Sequence, residues 1–329
     1  MTQPHDALFK MFFGEPAELA AMLRDLLPPP VLTLLDLDGL VPVPPEQHDT
    51  NLKARTPDLH FQAPWRPGGY AHVAILVEHQ SSPDPQMPYR ALRAALRVWE
   101  QSEGPRLPVV LTLVVAHGAR PWTAPRRLSE LYDAPAEAIA ALRPHLPELE
   151  LWIEDLNVTP DERLPGQGGG RLALLLMRHA HEGRTVPLLN AHMPLYEQTL
   201  RERGDHWAAA LLRYAIHLNQ TRVNPADTER AMALLHPPER EEIKSWLDQE
   251  REEWRQEGRQ EGRQEGRQET IRELLIRALT LRFGALRPDQ LREVHRASAD
   301  RLDRWFTLSL TASSLDALFG TPEDPTPSE

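Results

Sequence analysis

The stretch PDLHFQ at 57–62, APWRPGG at 63–69 and YAHVAILVEHQS at 70–81 decides how this sequence is read. Asp58 to Gln62 and Tyr70 to Glu78 read as strands, and Trp65-Arg66-Pro67-Gly68-Gly69 between them is turn chemistry, so the two form a hairpin. Residues 86–103 (QMPYRALRAALRVWEQSE) follow with helical spacing that puts Leu92, Ala95, Leu96 and Trp99 on one face. Val109 to Ala116, VVLTLVVA, is a continuous apolar run typical of a buried central strand. Leu149 to Leu156 reads as a further strand. A strand pair, a helix and a buried strand imply an α/β fold with a mixed sheet and a helical crossover.

Asp58 opens the first strand of this hairpin, and Glu78 and Gln80 end the second. Residues two apart on a strand share a face, so Glu78 and Gln80 project together while His79 points away. The hairpin brings Asp58 beside them. Converging carboxylates repel unless a cation sits between them. Oxygen donors suit Mg²⁺, Mn²⁺ or Ca²⁺, with the backbone carbonyl of His79 as a further ligand. Such an ion polarises a phosphodiester and lowers the pKa of a bound water. Spacing alone also admits a plain reading, a turn residue at Asp58 and an exposed edge residue at Glu78. The abrupt change from the apolar run at 73–77 to EHQSS weighs against it.

The composition narrows the chemistry. The 329 residues contain no cysteine, which excludes disulfides, thiolate zinc sites, iron–sulfur clusters and cysteine nucleophiles. The net charge is −11, so any nucleic-acid site is local and needs help from metal. Lysine stands only at Lys10, Lys53 and Lys244; the excess of arginine reads as coding bias rather than function. No apolar run is long enough to span a bilayer and no basic leader precedes an apolar stretch, so no membrane partner and a cytoplasmic location are expected.

Before the hairpin, residues 6–27 have helical spacing interrupted by Gly14 and Pro16, which predicts two short helices ended at Pro28-Pro29-Pro30. Residues 31–43 alternate mildly and predict a first strand, and 42–50 a loop. After the sheet, GQGGG at 166–170 predicts a flexible break and a boundary; without a following Gly-Lys-Ser/Thr it is no phosphate loop. Residues 171–248 read as helical. RQEG then repeats at 255–258, 259–262 and 263–266. Its period stacks like charges along a helix, and its glycines weaken one. It reads either as a solvated linker or as a helix whose glycine stripe admits a partner while Arg and Glu pair across the seam. A leucine-rich unit over 270–319 predicts three short helices, and 321–329 a disordered tail. The expected division is 1–165, 166–250, 251–269, 270–320 and 321–329.

His5, His60, His72 and His79 fit no helical His-x-x-x-His pair, and strand geometry spreads them over both faces, which favours structural or surface roles. His179 and His181 do not share a helix face. Arg90, Arg93 and Arg97 line one face, either solvated or contacting phosphate. Trp152 and Trp207 are expected in core.

His5-Asp6, Phe9-Lys10, Pro57-Asp58-Leu59, Val77-Glu78-His79-Gln80-Ser81 and Met87-Pro88-Tyr89-Arg90, in this order, resemble the recombination-promoting nuclease (transposase-like) family of the PD-(D/E)XK nuclease superfamily. The resemblance covers roughly residues 1–160. The leucine-rich unit is similar to a small C-terminal domain of unknown function that often follows these nucleases. The resemblance implies a restriction-endonuclease-like mixed sheet flanked by helices, then an all-α extension and a small helical domain. It implies a DNA endonuclease of low sequence selectivity using Mg²⁺ (or Ca²⁺ or Mn²⁺), acting in recombination, mobile elements or defence against foreign DNA. Asp58 and Glu78 would hold the metal, with Gln80 where the superfamily usually has lysine. A neutral amide orients water or a phosphate oxygen but supplies no positive charge. Lys10, Lys53, Arg55 and Arg90 are candidate cations, and Asp6 a candidate extra carboxylate. Two other readings stand beside it: a nuclease fold that binds DNA or protein without cutting, and an oligomerising protein in which 251–319 matter most.

Overall fold

The computed structural model describes residues 4–44, 59–79, 84–118, 120–219, 225–312 and 314–319. Helices α1 (Pro4–Phe13) and α2 (Pro16–Leu26) form the expected pair. The break falls at Gly14, where a Cβ would meet the Lys10 carbonyl oxygen at 2.4 Å. Leu8, Phe9, Phe12 and Phe13 give α1 one continuous buried face. The strand expected over 31–43 is largely helical instead. Pro29 opens α3 (Pro29–Leu34), because a proline at the first helical position lacks only an N–H the helix does not need. A 3₁₀ turn follows at Leu37–Gly39, and only β1 (Val41–Pro42) is extended. Leu35 and Leu37 are buried, which accounts for the alternation in the sequence.

β2 (Leu59–Pro64) and β3 (Tyr70–His79) make the expected antiparallel hairpin, from Leu59↔Ile75 to Pro64↔Tyr70. α4 (Met87–Glu100) crosses over to β4 (Val109–His117), which runs parallel to β3 from Ala71↔Val109 to His79↔His117. Its buried face is Met87, Ala91, Ala94, Ala95 and Val98, while Leu96 is 42% exposed; small alanines let the helix sit close to the sheet. α5 (Ala136–Leu142) buries none of its residues. β5 (Trp152–Asp155) adds in parallel to β4, giving the order β1-β2-β3-β4-β5. It is shorter than 149–156 because the Leu151 N–H and the Leu149 carbonyl are taken by Arg126 and Leu128. Met87, Ala91, Val114, Ala116, Trp122 and Leu151 form a core on the α4 side. The result is a mixed α/β fold.

α6 (Gly168–Arg178), α7 (Thr185–Ala191), α8 (Met193–Arg203), α9 (Asp205–His217) and α10 (Pro225–Leu234) follow. The glycine cluster is no flexible break. Gly168, Gly169 and Gly170 are the buried first turn of α6. A Cβ on Gly169 would lie 2.5 Å from the Phe12 ring and 2.9 Å from Thr199 Oγ1, and one on Gly170 2.6 Å from Glu18 Oε2. Glycine is there because α1, α2 and α8 converge on this turn. Trp207 is half-buried, edge-on to Phe12 at 5.0 Å, and Trp152 is also half-buried.

The chain divides into two compact units, Met1–Ser245 and Trp246–Glu329. α11 (Pro237–Phe283) is a helix of 47 residues that contains the whole RQEG repeat. α12 (Pro288–Arg296), α13 (Ala299–Ser309) and α14 (Leu315–Phe319) complete the second unit. The leucine-rich segment is therefore the end of a long helix plus three short ones. Leu275, Leu279, Val294, Leu302, Trp305 and Leu318 form its core, with the Trp305 and Phe319 rings 5.0 Å apart. Residues 321–329, expected to be disordered, lie outside the described residues. No described helix is long and apolar enough to cross a membrane.

The glycine contacts give a direct check. Gly169→Ala forces a methyl into the Phe12 ring and Thr199, and should destabilise the protein by about 1–3 kcal/mol, read as a lower urea midpoint. An unchanged midpoint would contradict this packing.

Candidate functional site

Strands β3, β4 and β5 are parallel and end together, and polar residues gather where they end. Glu78 pairs in register with Ala116, His79 with His117, and Ala116 with Asp155. C-terminal ends of parallel strands are where ligands bind in open α/β sheets. Of the residues singled out in the sequence, Glu78 and His79 stand at the end of β3; their side chains, and the whole of Asp58, Gln80, Lys53 and Arg55, lie outside the described residues. Leu59, one peptide bond after Asp58, pairs with Ile75, three residues before Glu78.

The supporting residues are placed by helices on either side. α1 packs against β3, α6 and α9. On it, Lys10 Nζ lies 3.0 Å from Asp6 Oδ2, a half-exposed ion pair one turn apart. At the start of α4, Arg90 donates to Asp84 Oδ2 at 3.1 Å, both side chains being mostly covered. Arg93 is exposed and lies over the Tyr89 ring.

Three residues escaped the sequence reading. His117 is 3% exposed and its ring lies tilted against that of His5, centroids 4.8 Å apart. His5 Nδ1 is hydrogen-bonded to the Tyr214 hydroxyl at 2.6 Å, so an imidazole on α1 joins the end of β4 to α9. This gives His5 the structural role expected of it. Asp155 is 6% exposed and accepts from the Trp122 N–H at 2.6 Å and from Asn157 N and Nδ2 at 3.0 and 2.8 Å. Asn157 Oδ1 accepts in turn from the Gly118 N–H at 3.2 Å, which clamps the segment after β4 to the end of β5. Next to it, Glu154 is buried and its Oε1 has no hydrogen-bond partner. Burial raises its pKa; a bond from Thr159 opposes this and the Asp155 charge adds to it. The signal for all three was the one that marked Glu78, a polar residue closing an apolar run.

His60 and His72, expected to spread over the sheet, instead come together. Gln62 Nε2 lies 3.3 Å from His72 Nε2, and His72 Nδ1 lies 2.9 Å from His60 Nε2. Farther along, His179 bonds Glu182 Oε1 at 2.7 Å and Asp161 Oδ1 at 3.0 Å, tying the end of α6 to the chain after β5. Among the described residues no group of three or more His, Asp or Glu is arranged to hold a metal.

A family model described as "Putative transposase, YhgA-like" matches residues 3–210, from α1 into α9. The chain belongs to the YhgA-like transposase family. The resemblance read from the sequence is thus borne out. Similar proteins include recombination-promoting nuclease RpnD of Escherichia coli O157:H7, 28% identical over 220 residues, which are 65% of this chain and 81% of the relative. Recombination-promoting nuclease RpnC of Escherichia coli K12 is 26% identical over 202 residues, 60% of this chain and 65% of the relative. The inactive recombination-promoting nuclease-like protein RpnE of the same strain is 27% identical over 193 residues, 57% of this chain and 62% of the relative. No solved structure gives a significant match. For this YhgA-like chain the family match ends before the RQEG repeat, so α11–α14 stand outside it.

The paired imidazoles make stability depend on pH. Burial and the facing His72 hold His60 down to about 4, and burial lowers His72 as well. Their neutral forms favour folding above the ordinary histidine value of 6.5, and that contribution is lost as pH falls from 6.5 toward 4. Urea midpoints should fall over this window, and His60→Gln should flatten the fall; an equally steep profile in the variant would contradict the pairing.

Proposed function

We propose that this chain is a divalent-metal-dependent DNA endonuclease on a PD-(D/E)XK-like sheet, hydrolysing phosphodiester bonds with low sequence selectivity in recombination or mobile-element processing. The observation that carries the reading is the position of Glu78, at the end of β3 where three parallel strands finish, in a family with relatives named recombination-promoting nucleases. An antiparallel hairpin followed by a helical crossover to a parallel strand is the architecture such a sheet needs.

The donor chemistry fits a hard cation. Asp58, Glu78 and the His79 carbonyl offer oxygen only, and the chain has no cysteine. A Mg²⁺ or Mn²⁺ held there by Asp58 and Glu78 would supply Lewis acidity toward a phosphoryl oxygen and would lower the pKa of water. Gln80 orients that water or a phosphate oxygen through its amide; it cannot take the proton. Positive charge for the scissile phosphate comes from Lys10 or Arg90, each of which would exchange its present carboxylate, Asp6 or Asp84, for phosphate. Asp6, once released, is a further acidic group beside the sheet end.

A second reading, a nuclease-like module that binds DNA or protein without cutting, is favoured by Gln80 and by the printed name of RpnE, which calls that relative inactive. Supercoiled plasmid incubated with the purified chain separates the two. Nicking is expected with Mg²⁺ or Mn²⁺ and not with chelator, and should fall by about 100-fold or more in Asp58→Ala and Glu78→Ala. Metal-dependent nicking that survives both substitutions would overturn the site. Retarded but uncut plasmid in every metal would establish the second reading.

A further inference from the structure

Helix α11 carries a long stretch whose described residues are exposed. Between Glu252 and Thr270 every residue of described burial is exposed except the half-buried Gln268, and a Cβ on Gly262 or Gly266 would meet nothing within 4 Å. Such a segment makes a poor solitary helix. Each interior glycine costs about 1 kcal/mol relative to alanine. The repeat also denies itself internal ion pairs. Arg259 has Arg255, Gln256, Gly262 and Arg263 at three and four residues' distance, and no carboxylate. Among the described residues of this stretch, ion pairs stand at its margins, Arg255 with Glu252 at 2.7 Å and Arg272 with Glu269 at 3.1 Å, and Arg259 and Arg263 make none.

The charges of the repeat have an order along the helix. At about 100° per residue, the Arg row (255, 259, 263) and the Glu row (257, 261, 265) fall about 160° apart, with the row 258–262–266 between them. By sequence period, then, the repeat places a bare glycine row on the helix between an arginine row and a glutamate row. We propose that this face is covered by the same face of a second copy of this chain, the two helices running parallel about a two-fold axis along their length. That symmetry sets the Arg row of each copy against the Glu row of the other, on both flanks. An antiparallel pair, related by an axis perpendicular to the helices, sets Arg against Arg and Glu against Glu.

The apolar residues select the same orientation. Leu274 continues the four-residue row 258–262–266–270 and is 48% exposed, and Leu281, seven residues on, is 82% exposed. Parallel pairing keeps each Leu274 at the same level as its counterpart. An antiparallel pair centred on Gly262 leaves the two about 36 Å apart at 1.5 Å per residue. Rows of this period pack into one another at a crossing near −50°, and the absence of side chains at 258, 262 and 266 lets the backbones approach. The inference is independent of the nuclease reading, since it uses no residue of the sheet.

The cysteine-free chain makes orientation measurable. Full-length Gly258→Cys and Gly266→Cys, oxidised separately, should each form disulfide-linked dimers, because parallel pairing places equivalent positions together. Cross-linking only when the two variants are mixed would show antiparallel pairing and overturn the proposal, as would a monomer by sedimentation of the unmodified protein at micromolar concentration. The charges are tested apart from the cysteines. The double variant Arg259→Glu/Arg263→Glu should weaken dimerisation by about 10-fold or more, as should Glu257→Arg/Glu261→Arg, and mixing the two should restore it. Unchanged dimerisation in both charge variants would overturn the assigned face.

Discussion

The parallel pairing of β3 with β4 is the constraint on which the first unit depends. Nine consecutive register pairs, Ala71↔Val109 to His79↔His117, make the two strands end level. A parallel pair cannot be joined by a tight turn, so α4 must cross the sheet, and its alanine face sets how closely it sits. β5 then adds to β4 in the same direction. From this follows a sheet end where Glu78, His79, His117 and Asp155 arrive from three strands, although they lie up to 77 residues apart in sequence.

Buried polar contacts join the elements around that end. The His5–Tyr214 bond and the tilted His5–His117 ring contact hold α1 to β4 and α9. The glycine turn of α6 lets Phe12 and Phe13 reach past it. Asp155 and Asn157 hold the segment after β4. Buried polar groups of this kind are costly unless satisfied, so each contact also selects one arrangement of helix against sheet. Lys10 on α1 and Arg90 on α4 sit on elements positioned by this framework, and both already answer a carboxylate.

Much of this was legible in the sequence because the decisive signals are local. The hairpin, the crossover helix and VVLTLVVA declare themselves through turn residues and apolar runs. The misread parts depend on distant partners. Residues 31–43 alternate like a strand, but Pro29 starts a helix and the alternation buries Leu35 and Leu37 around a turn. GQGGG looks flexible until α1, α2 and α8 are seen to need its missing side chains. His60 and His72 are twelve residues apart, and only the strand register shows that their rings meet. Of the candidate site, the sequence named the residue closing β3 but not those closing β4 and β5, since nothing local says that three strands end together.

The claim that most needs testing is that the end of β3 holds a divalent cation through Asp58 and Glu78. Electron paramagnetic resonance of Mn²⁺ titrated into the full chain counts bound ions without requiring cleavage. The account predicts a Mn²⁺ site that weakens by about 10-fold or more in Asp58→Asn and in Glu78→Gln, with the fold retained by circular dichroism. Equal Mn²⁺ binding by the wild type and both variants would contradict it.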